Sequence, residues 1–266
     1  MKLKDWVESA KGKIGTLEAE LIAMKALGFK DRVYIIMYSE DEYDFSRADK
    51  MVETRLKGIP LAYILGQKEF YGRNFKVNSN VLIPRPETEQ IVSVVLGIVD
   101  VEKMDNIFIA DIGTGSGCIA ITLKLELSNE GKNTSVIGVD MSVPALEIAQ
   151  ENANNMGAVV GFFRSNLLSN IDELPDIITA NLPYVDMSWD WTSPELKYEP
   201  AMALYAEDKG LKLIKKLIDE IIEKKTDDKK RFLVLEADTS QLSDIIEYAK
   251  GFEVISRSEF TLALRY

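Results

Sequence analysis

Histidine is missing from all 266 residues. Its absence removes Ser/His/Asp hydrolases, histidine-ligated metal sites and histidine general bases together, so the chemistry here must run without them. Cysteine is nearly missing too. The single Cys118 excludes an internal disulfide framework and suits a reducing compartment. Placed just behind a glycine-rich turn, it reads as a small buried hydrophobe. Long apolar runs are also lacking. No stretch has the length of a bilayer-spanning helix, and Met1-Lys-Leu-Lys-Asp-Trp6-Val-Glu8 has no signal-peptide core, which predicts a cytoplasmic protein with no membrane partner. Positive charge is in deficit: a net charge of −11 argues against broad binding to phosphate backbones, so no direct nucleic-acid substrate is expected.

What remains is an ordinary complement for a core. At 46% hydrophobic, the chain suits one large domain, or one domain with a smaller attachment. Asp176-Ile-Ile-Thr-Ala-Asn181-Leu-Pro-Tyr184-Val-Asp186 reads as a short buried strand that delivers unusual residues to its carboxyl end, where open α/β sheets place ligands. Asn181 offers a carbonyl acceptor and an amide donor, Pro183 restricts Leu182 before it, and Tyr184 presents a flat face with a polar tip. Such a set grips a planar group bearing an NH2. On their own these residues fit a strand end, an Asn-x-Pro turn and a core tyrosine better than a binding grip.

A second motif bears on that choice. Asp111-Ile-Gly113-Thr114-Gly115-Ser116-Gly117 follows the apolar run Ile107 to Ala110 and precedes the helical stretch Cys118 to Leu127. Strand, glycine turn and helix in that order let a ligand approach the backbone closely. The spacing misses the dinucleotide fingerprint by one position, so a pyrophosphate is not the first expectation. Asp140 ends the next strand, Val136 to Val139, where a carboxylate accepts both hydroxyls of a ribose.

Taken together, Asp-x-Gly-x-Gly-x-Gly, an acidic residue after the second strand and Asn-x-Pro-Tyr after the fourth resemble the class I methyltransferases, which use S-adenosylmethionine to methylate planar amino nitrogens. Leu82-Ile-Pro-Arg85-Pro-Glu87-Thr88-Glu89 narrows the resemblance to the HemK/PrmC family, the glutamine N5-methyltransferases of peptide chain release factors. Arg55 to Gly66, Lys197-Tyr-Glu199-Pro200 and the terminal Leu262 to Tyr266 extend it along nearly the whole chain. The resemblance implies an α/β fold: a Rossmann-like seven-stranded sheet whose last strand runs antiparallel, with a small N-terminal helical domain. It implies S-adenosyl-L-methionine as cofactor, class 1 release factors as protein substrates and the glutamine of their Gly-Gly-Gln motif as the methylated residue. Asp111, Gly113, Thr114, Gly115, Ser116 and Gly117 would hold the methionine and ribose portion, with Asp111 near the methionine end. Asp140 would bind the ribose diol and Leu167 would flank the adenine. Asn181 and the Leu182 carbonyl would each accept one N–H of the substrate amide, with Pro183 bracing the loop and Tyr184 stacking on the amide. Arg85 is a candidate for this site or for a structural ion pair, and Thr88 is a further candidate. Leu182 departs from the first proline of Asn-Pro-Pro-Tyr, Asn166 stands at a commonly acidic position, Leu167 where an aromatic occurs, and Glu236-Ala-Asp238 lacks a glycine.

The expected organisation is a helical domain over residues 1–66, a β-hairpin connector over 67–85 and a catalytic domain over 86–266. In the helical part, Thr16 is the expected cap of a helix ending before Gly28, with Leu17, Leu21, Met24 and Leu27 as its buried stripe. A further helix is expected from Ser46 to Leu56. Beyond Asn106, strands alternate with helices in the pattern of a parallel sheet covered on both faces. The loop after Ala180, through Trp189, Trp191 and Pro194 to Pro200, is expected to be ordered. The charged stretch 224–231 is expected to be a solvated turn. Three other readings fit parts of this pattern: a ribosomal-protein glutamine methyltransferase, an N6-adenine or N4-cytosine DNA methyltransferase, and a non-catalytic cofactor-binding protein. The acidic composition counts against the DNA enzyme.

Overall fold

The computed structural model describes residues 1–189 and 193–266, so Trp191 of the long loop lies outside the described residues. The chain divides into two compact units, residues 1–67 with 193–198, and residues 68–192 with 199–266.

The first unit is helical: α1 (Leu3–Ile14), α2 (Thr16–Leu27), α3 (Val33–Met37), α4 (Ser46–Leu56) and α5 (Leu61–Leu65). Leu3, Trp6 and Ala10 of α1 meet Ala19, Ile22 and Ala23 of α2, with Phe45, Ala48 and Val52 closing the core. Trp6 stacks on Phe45 with ring centroids 4.9 Å apart, and its indole N–H donates to Asp49 Oδ1 at 2.7 Å. Two expectations for α2 are corrected. Thr16 is the first helical residue rather than the cap, because Gly15 at φ +86° breaks the helix and its carbonyl accepts from the Ala19 N–H at 3.1 Å. The fully buried face is Ala19, Ile22 and Ala23, with Met24 and Leu27 partly buried against the same core, whereas Leu17 is 55% exposed. Alanines on that face let neighbouring helices approach closely, since interaxial distance follows the side chains at the contact.

All but the first residue of a hairpin, β1 (Gln67–Phe70) and β2 (Arg73–Lys76), belongs to the second unit. Its turn residues Tyr71 and Gly72 have φ of +50° and +72°, the paired positive values of a type I′ turn that matches strand twist. Expected as a connector, the hairpin is built into this unit. Phe70 and Phe75 are fully buried in the same cluster as α6 (Glu89–Val101).

The main sheet contains β3 (Ile107–Ile112), β4 (Thr134–Asp140), β5 (Gly161–Arg164), β6 (Ile177–Ala180), β7 (Phe232–Glu236), β8 (Glu253–Arg257) and β9 (Thr261–Arg265). Its order is β5-β4-β3-β6-β7-β9-β8, parallel except for β9, which pairs antiparallel with both neighbours. Period-two alternation splits the strands between two cores: Phe232 and Val234 face the cluster with α6 and α7 (Cys118–Asn129), while Leu233 and Leu235 face the cluster with α9 (Lys212–Lys224) and α10 (Leu242–Tyr248). Between β4 and β5 runs α8 (Val143–Met156), capped by the Ser142 hydroxyl and stopped by Gly157 in the left-handed region. The chain winds outward from β3 through β4 to β5, then returns to place β6 on the other side of β3. That reversal puts the ligand crevice at the carboxyl ends of β3 and β6.

The stretch expected to be a solvated turn is exposed from 225 to 230, and only its last residue is buried. Arg231 is 6% exposed, donates Nη2 to Asp227 Oδ2 at 2.9 Å and exchanges both backbone hydrogen bonds with Tyr266 at 3.0 Å. It thereby anchors the C-terminal end of the sheet.

Candidate active site

Parallel pairing of β3 with β6 places Ile112 opposite Ala180, so the glycine loop and the Asn181–Tyr184 loop leave the sheet side by side. Asp111 and Thr179 stand opposite one another across that pair, and the Thr179 hydroxyl donates to Asp111 Oδ1 at 2.9 Å. The other carboxyl oxygen accepts from the Thr114 hydroxyl at 2.7 Å. Asp111 is therefore fully buried beneath the loop and does not line the cavity above it. Burial pushes its pKa up to about 6, with the two hydroxyls holding it down.

The loop above is shaped by backbone hydrogen bonds. Gly113 and Thr114 N–H groups both donate to the Val139 carbonyl, at 2.8 and 2.9 Å, and Gly117 N–H donates to Thr114 at 2.8 Å. Asp140, at the end of β4, accepts from Gly115 N–H at 3.0 Å and from Ser142 N–H at 2.8 Å. Each of its oxygens is thus oriented by one backbone donor while keeping further acceptor capacity. Burial raises its pKa, opposed by those N–H groups.

These loops enclose a cavity of about 320 Å³, lined by Gly113, Thr114, Gly115, Ser116, Asp140, Leu167, Asn181, Leu182 and Pro183 together with Arg85, Thr88 and Asn166. Cys118 also lines it, and burial pushes its thiol up to about 12, so it stays neutral. Gly117 and Tyr184 lie outside the lining. On the side expected to take adenine, Leu167 has φ +52°, a conformation held by the Ser165 hydroxyl donating to its carbonyl at 2.8 Å. Arg85 pairs with Glu199, whose side chain is 2% exposed and also accepts from Ile83 N–H at 3.0 Å. Arg85 is thus ion-paired, as the structural reading expected, and it also lines the cavity.

The Asn181 side-chain amide donates Nδ2 to the Thr88 hydroxyl at 3.0 Å. That bond uses one hydrogen of the NH2 group, and Asn181 also lines the cavity. Leu182 lacks the rigidity of the proline it replaces, and instead it buries its side chain at 4% exposure in the core beside α9. Tyr184 packs its ring against the same cluster and donates its hydroxyl to Glu236 Oε1 at 3.0 Å. Burial beside that carboxyl raises the phenol pKa.

Sequence reasoning gave no role to two residues of this site. Gln241, 4% exposed, donates Nε2 to the carbonyls of Tyr184 at 2.8 Å and Lys209 at 2.7 Å, tying the Asn181–Tyr184 loop to the turn before α9. Glu236 ends the fully buried β7 and reaches Tyr184. A carboxylate closing a strand that is otherwise apolar was the available signal.

The donor set fits S-adenosylmethionine. An oriented carboxylate suits a ribose diol, a glycine loop admits close approach, and the cavity volume is within the roughly 300–1,000 Å³ of small-ligand sites. Fold and site together define a class I S-adenosylmethionine-dependent methyltransferase. Two family models match, the PrmC N-terminal domain over residues 8–66 and the methyltransferase small domain over residues 95–191. The release factor glutamine methyltransferase of Koribacter versatilis is 40% identical over 214 residues, covering 78% of this chain and 74% of that protein. That of Bacillus anthracis is 39% identical over 189 residues, covering 69% of this chain and 64% of that protein, just under two thirds of its length. Among solved structures, the 16S rRNA N2 G1207 methyltransferase of Thermus thermophilus shares the fold, with a TM-score of 0.52 at 11% identity, over 74% of this chain and 48% of that one. The chain belongs to the release factor glutamine methyltransferase family, the HemK/PrmC family.

Proposed function

We propose that this protein methylates the side-chain amide nitrogen of the glutamine in the Gly-Gly-Gln motif of class 1 peptide chain release factors. The observation that carries the reading is Asn181, which lines the cofactor cavity with its NH2 group donating to Thr88, and which would offer its carbonyl to the substrate amide. S-adenosylmethionine, when bound, supplies the activated methyl group. Gly113, Thr114, Gly115 and Ser116 would cradle its methionine and ribose portion, Asp140 its ribose diol and Leu167 its adenine. Asp111 and Gly117 would act from beneath, by shaping the loop.

A carboxamide nitrogen is a poor nucleophile because its lone pair is delocalised into the carbonyl. Two acceptors, the Asn181 carbonyl and the Leu182 backbone carbonyl, would each take one N–H and hold the nitrogen in a fixed plane. Their partial negative charge supports the positive charge that develops on nitrogen. Pro183 restricts the loop, and the Tyr184 ring would set the height of the amide. The methylated amide then loses its proton to water, which needs no strong base and agrees with a chain that has no histidine. The N-terminal helical unit would help to hold the release factor. The net charge of −11 supports a protein substrate over a nucleic acid. Among the described residues no helix is long and apolar enough to cross a membrane. The reading places the protein in the cytoplasm, where its one free thiol stays reduced.

The test is mass spectrometry of a release factor incubated with the protein and S-adenosylmethionine, beside an Asn181→Ala control. One added methyl group on the Gly-Gly-Gln glutamine, lost in the control, is expected. An unmodified release factor, with cofactor binding demonstrated, would overturn the reading.

A further inference from the structure

Behind the cavity sits a carboxyl that neither the cofactor loop nor the substrate loop accounts for. Glu236 is 1% exposed, at the end of β7. Its Oε1 accepts from the Tyr184 hydroxyl at 3.0 Å, and the Thr88 hydroxyl and the Asn181 amide also act on the carboxyl as hydrogen-bond donors. A carboxyl buried this deeply is costly to ionise, so such a group calls for an explanation beyond packing. Thr88 and Asn181, already joined to each other, lie beside the same carboxyl and favour its charged form. One carboxyl thus stands behind both ends of the Asn181–Tyr184 segment.

We propose that Glu236 is a positioning residue for amide methylation: it fixes the Tyr184 ring through its hydroxyl and sets negative charge behind the Thr88–Asn181 pair. The inference rests on the release-factor reading for its substrate and deepens it. In the transfer, the amide nitrogen lone pair forms the new N–C bond, the C–S bond pair returns to the sulfonium sulfur to leave a neutral thioether, and the N–H proton passes to water. Glu236 exchanges no proton in that sequence. It acts by geometry and by field.

Burial pushes the Glu236 pKa up to about 7, Thr88, Tyr184 and Asn181 hold it down, and the charge of Glu87 raises it. The titratable groups around it are Tyr184 from the loop after β6, Glu87 from the turn before α6 and Cys118 at the start of α7. The ionised form is the one that supports positive charge on nitrogen, so turnover should rise with pH through about 7.

The experiment compares the wild type, Glu236→Gln and Tyr184→Phe, measuring kcat and KM for a release factor from about pH 5.5 to about pH 9. Infrared titration of the cofactor-free protein supplies a readout independent of activity. Glu236→Gln should lower kcat about tenfold or more, leave KM within about twofold and abolish the limb near neutrality. Tyr184→Phe should move the limb to higher pH, because the lost hydroxyl had stabilised the carboxylate. The infrared band of a protonated buried carboxyl should titrate with the limb, move with it in Tyr184→Phe and vanish in Glu236→Gln. A Glu236→Gln protein with wild-type kcat and pH profile would overturn the proposal. If Glu236→Gln does not fold, a limb and band left in place by Tyr184→Phe would overturn it instead. A wild type that folds and binds cofactor yet leaves release factors unmodified would sink the substrate reading alone, and the infrared titration would still decide the link between Glu236 and Tyr184.

Discussion

Asp140 shows how much a single side chain can carry when its surroundings orient it. Both oxygens receive a backbone N–H, from Gly115 at 3.0 Å and Ser142 at 2.8 Å, so the carboxylate meets a diol without having to be ordered first. Asp140→Asn keeps the shape but loses the charge and one acceptor, and its NH2 would face an N–H donor. Calorimetry should show S-adenosylmethionine binding weakened about tenfold to 100-fold, since hydrogen bonds to a charged group contribute about 1.5–3 kcal/mol. An unchanged affinity would remove Asp140 from the site. Asp111, on the neighbouring strand β3, answers to different physics. Its oxygens are taken by Thr114 and Thr179, so it serves the loop from below.

Elements meet at the site because small residues let them. Gly117, with φ +79°, precedes α7, and an added Cβ would lie 2.9 Å from Ile121 Cδ1 and 3.1 Å from Ala149 Cβ on α8. Gly117→Ala combines left-handed backbone strain of about 1–2 kcal/mol with overpacking of about 1–3 kcal/mol. Urea unfolding should show a loss of about 2–4 kcal/mol, and cofactor affinity should fall as the loop shifts. A midpoint equal to that of the wild type would show that α7 and α8 yield more easily than this geometry indicates. At the outer edge of the sheet, β8 leaves Val254 41% exposed and carries an irregularity between Val254 and Ser256, a device that discourages edge-to-edge pairing.

At the scale of the whole molecule, the missing histidines leave buried carboxyls to set the response to pH near neutrality. Asp111 is raised from 3.8 to about 6 and Glu236 from 4.5 to about 7, so the folded protein binds these protons more tightly than the unfolded chain. Their contribution to stability is fully present below the unfolded values and is lost as pH rises through about 6 and about 7. Thermal unfolding should therefore give a lower Tm at about pH 8 than at about pH 5.5, with a loss of about 1–3 kcal/mol per group. Glu236→Gln should flatten the upper part of that dependence. A Tm that rises across this interval would contradict the burial of these acids as the cause. Much of this architecture was legible in the chain. The alternation of apolar strands with helices fixes a parallel sheet through periodicity alone, and Asp140 and Asn181 stand at strand ends because local pattern places them there. Burial was less legible. In α2 Leu17, Leu21, Met24 and Leu27 read as the core stripe, yet only Met24 and Leu27 reach the core, at its margin, and Ala19, Ile22 and Ala23 are buried, since which face is covered depends on what approaches it. The amino acid order by itself determined the strands, the turns and the residues at their carboxyl ends, because propensity and period act over a few neighbours. Tertiary structure alone decided that Glu236 stands behind Tyr184, 52 positions earlier, and that Thr88 holds Asn181, 93 positions later, because parallel pairing of β6 with β7 and the return of the chain to α6 bring together groups with no local relation.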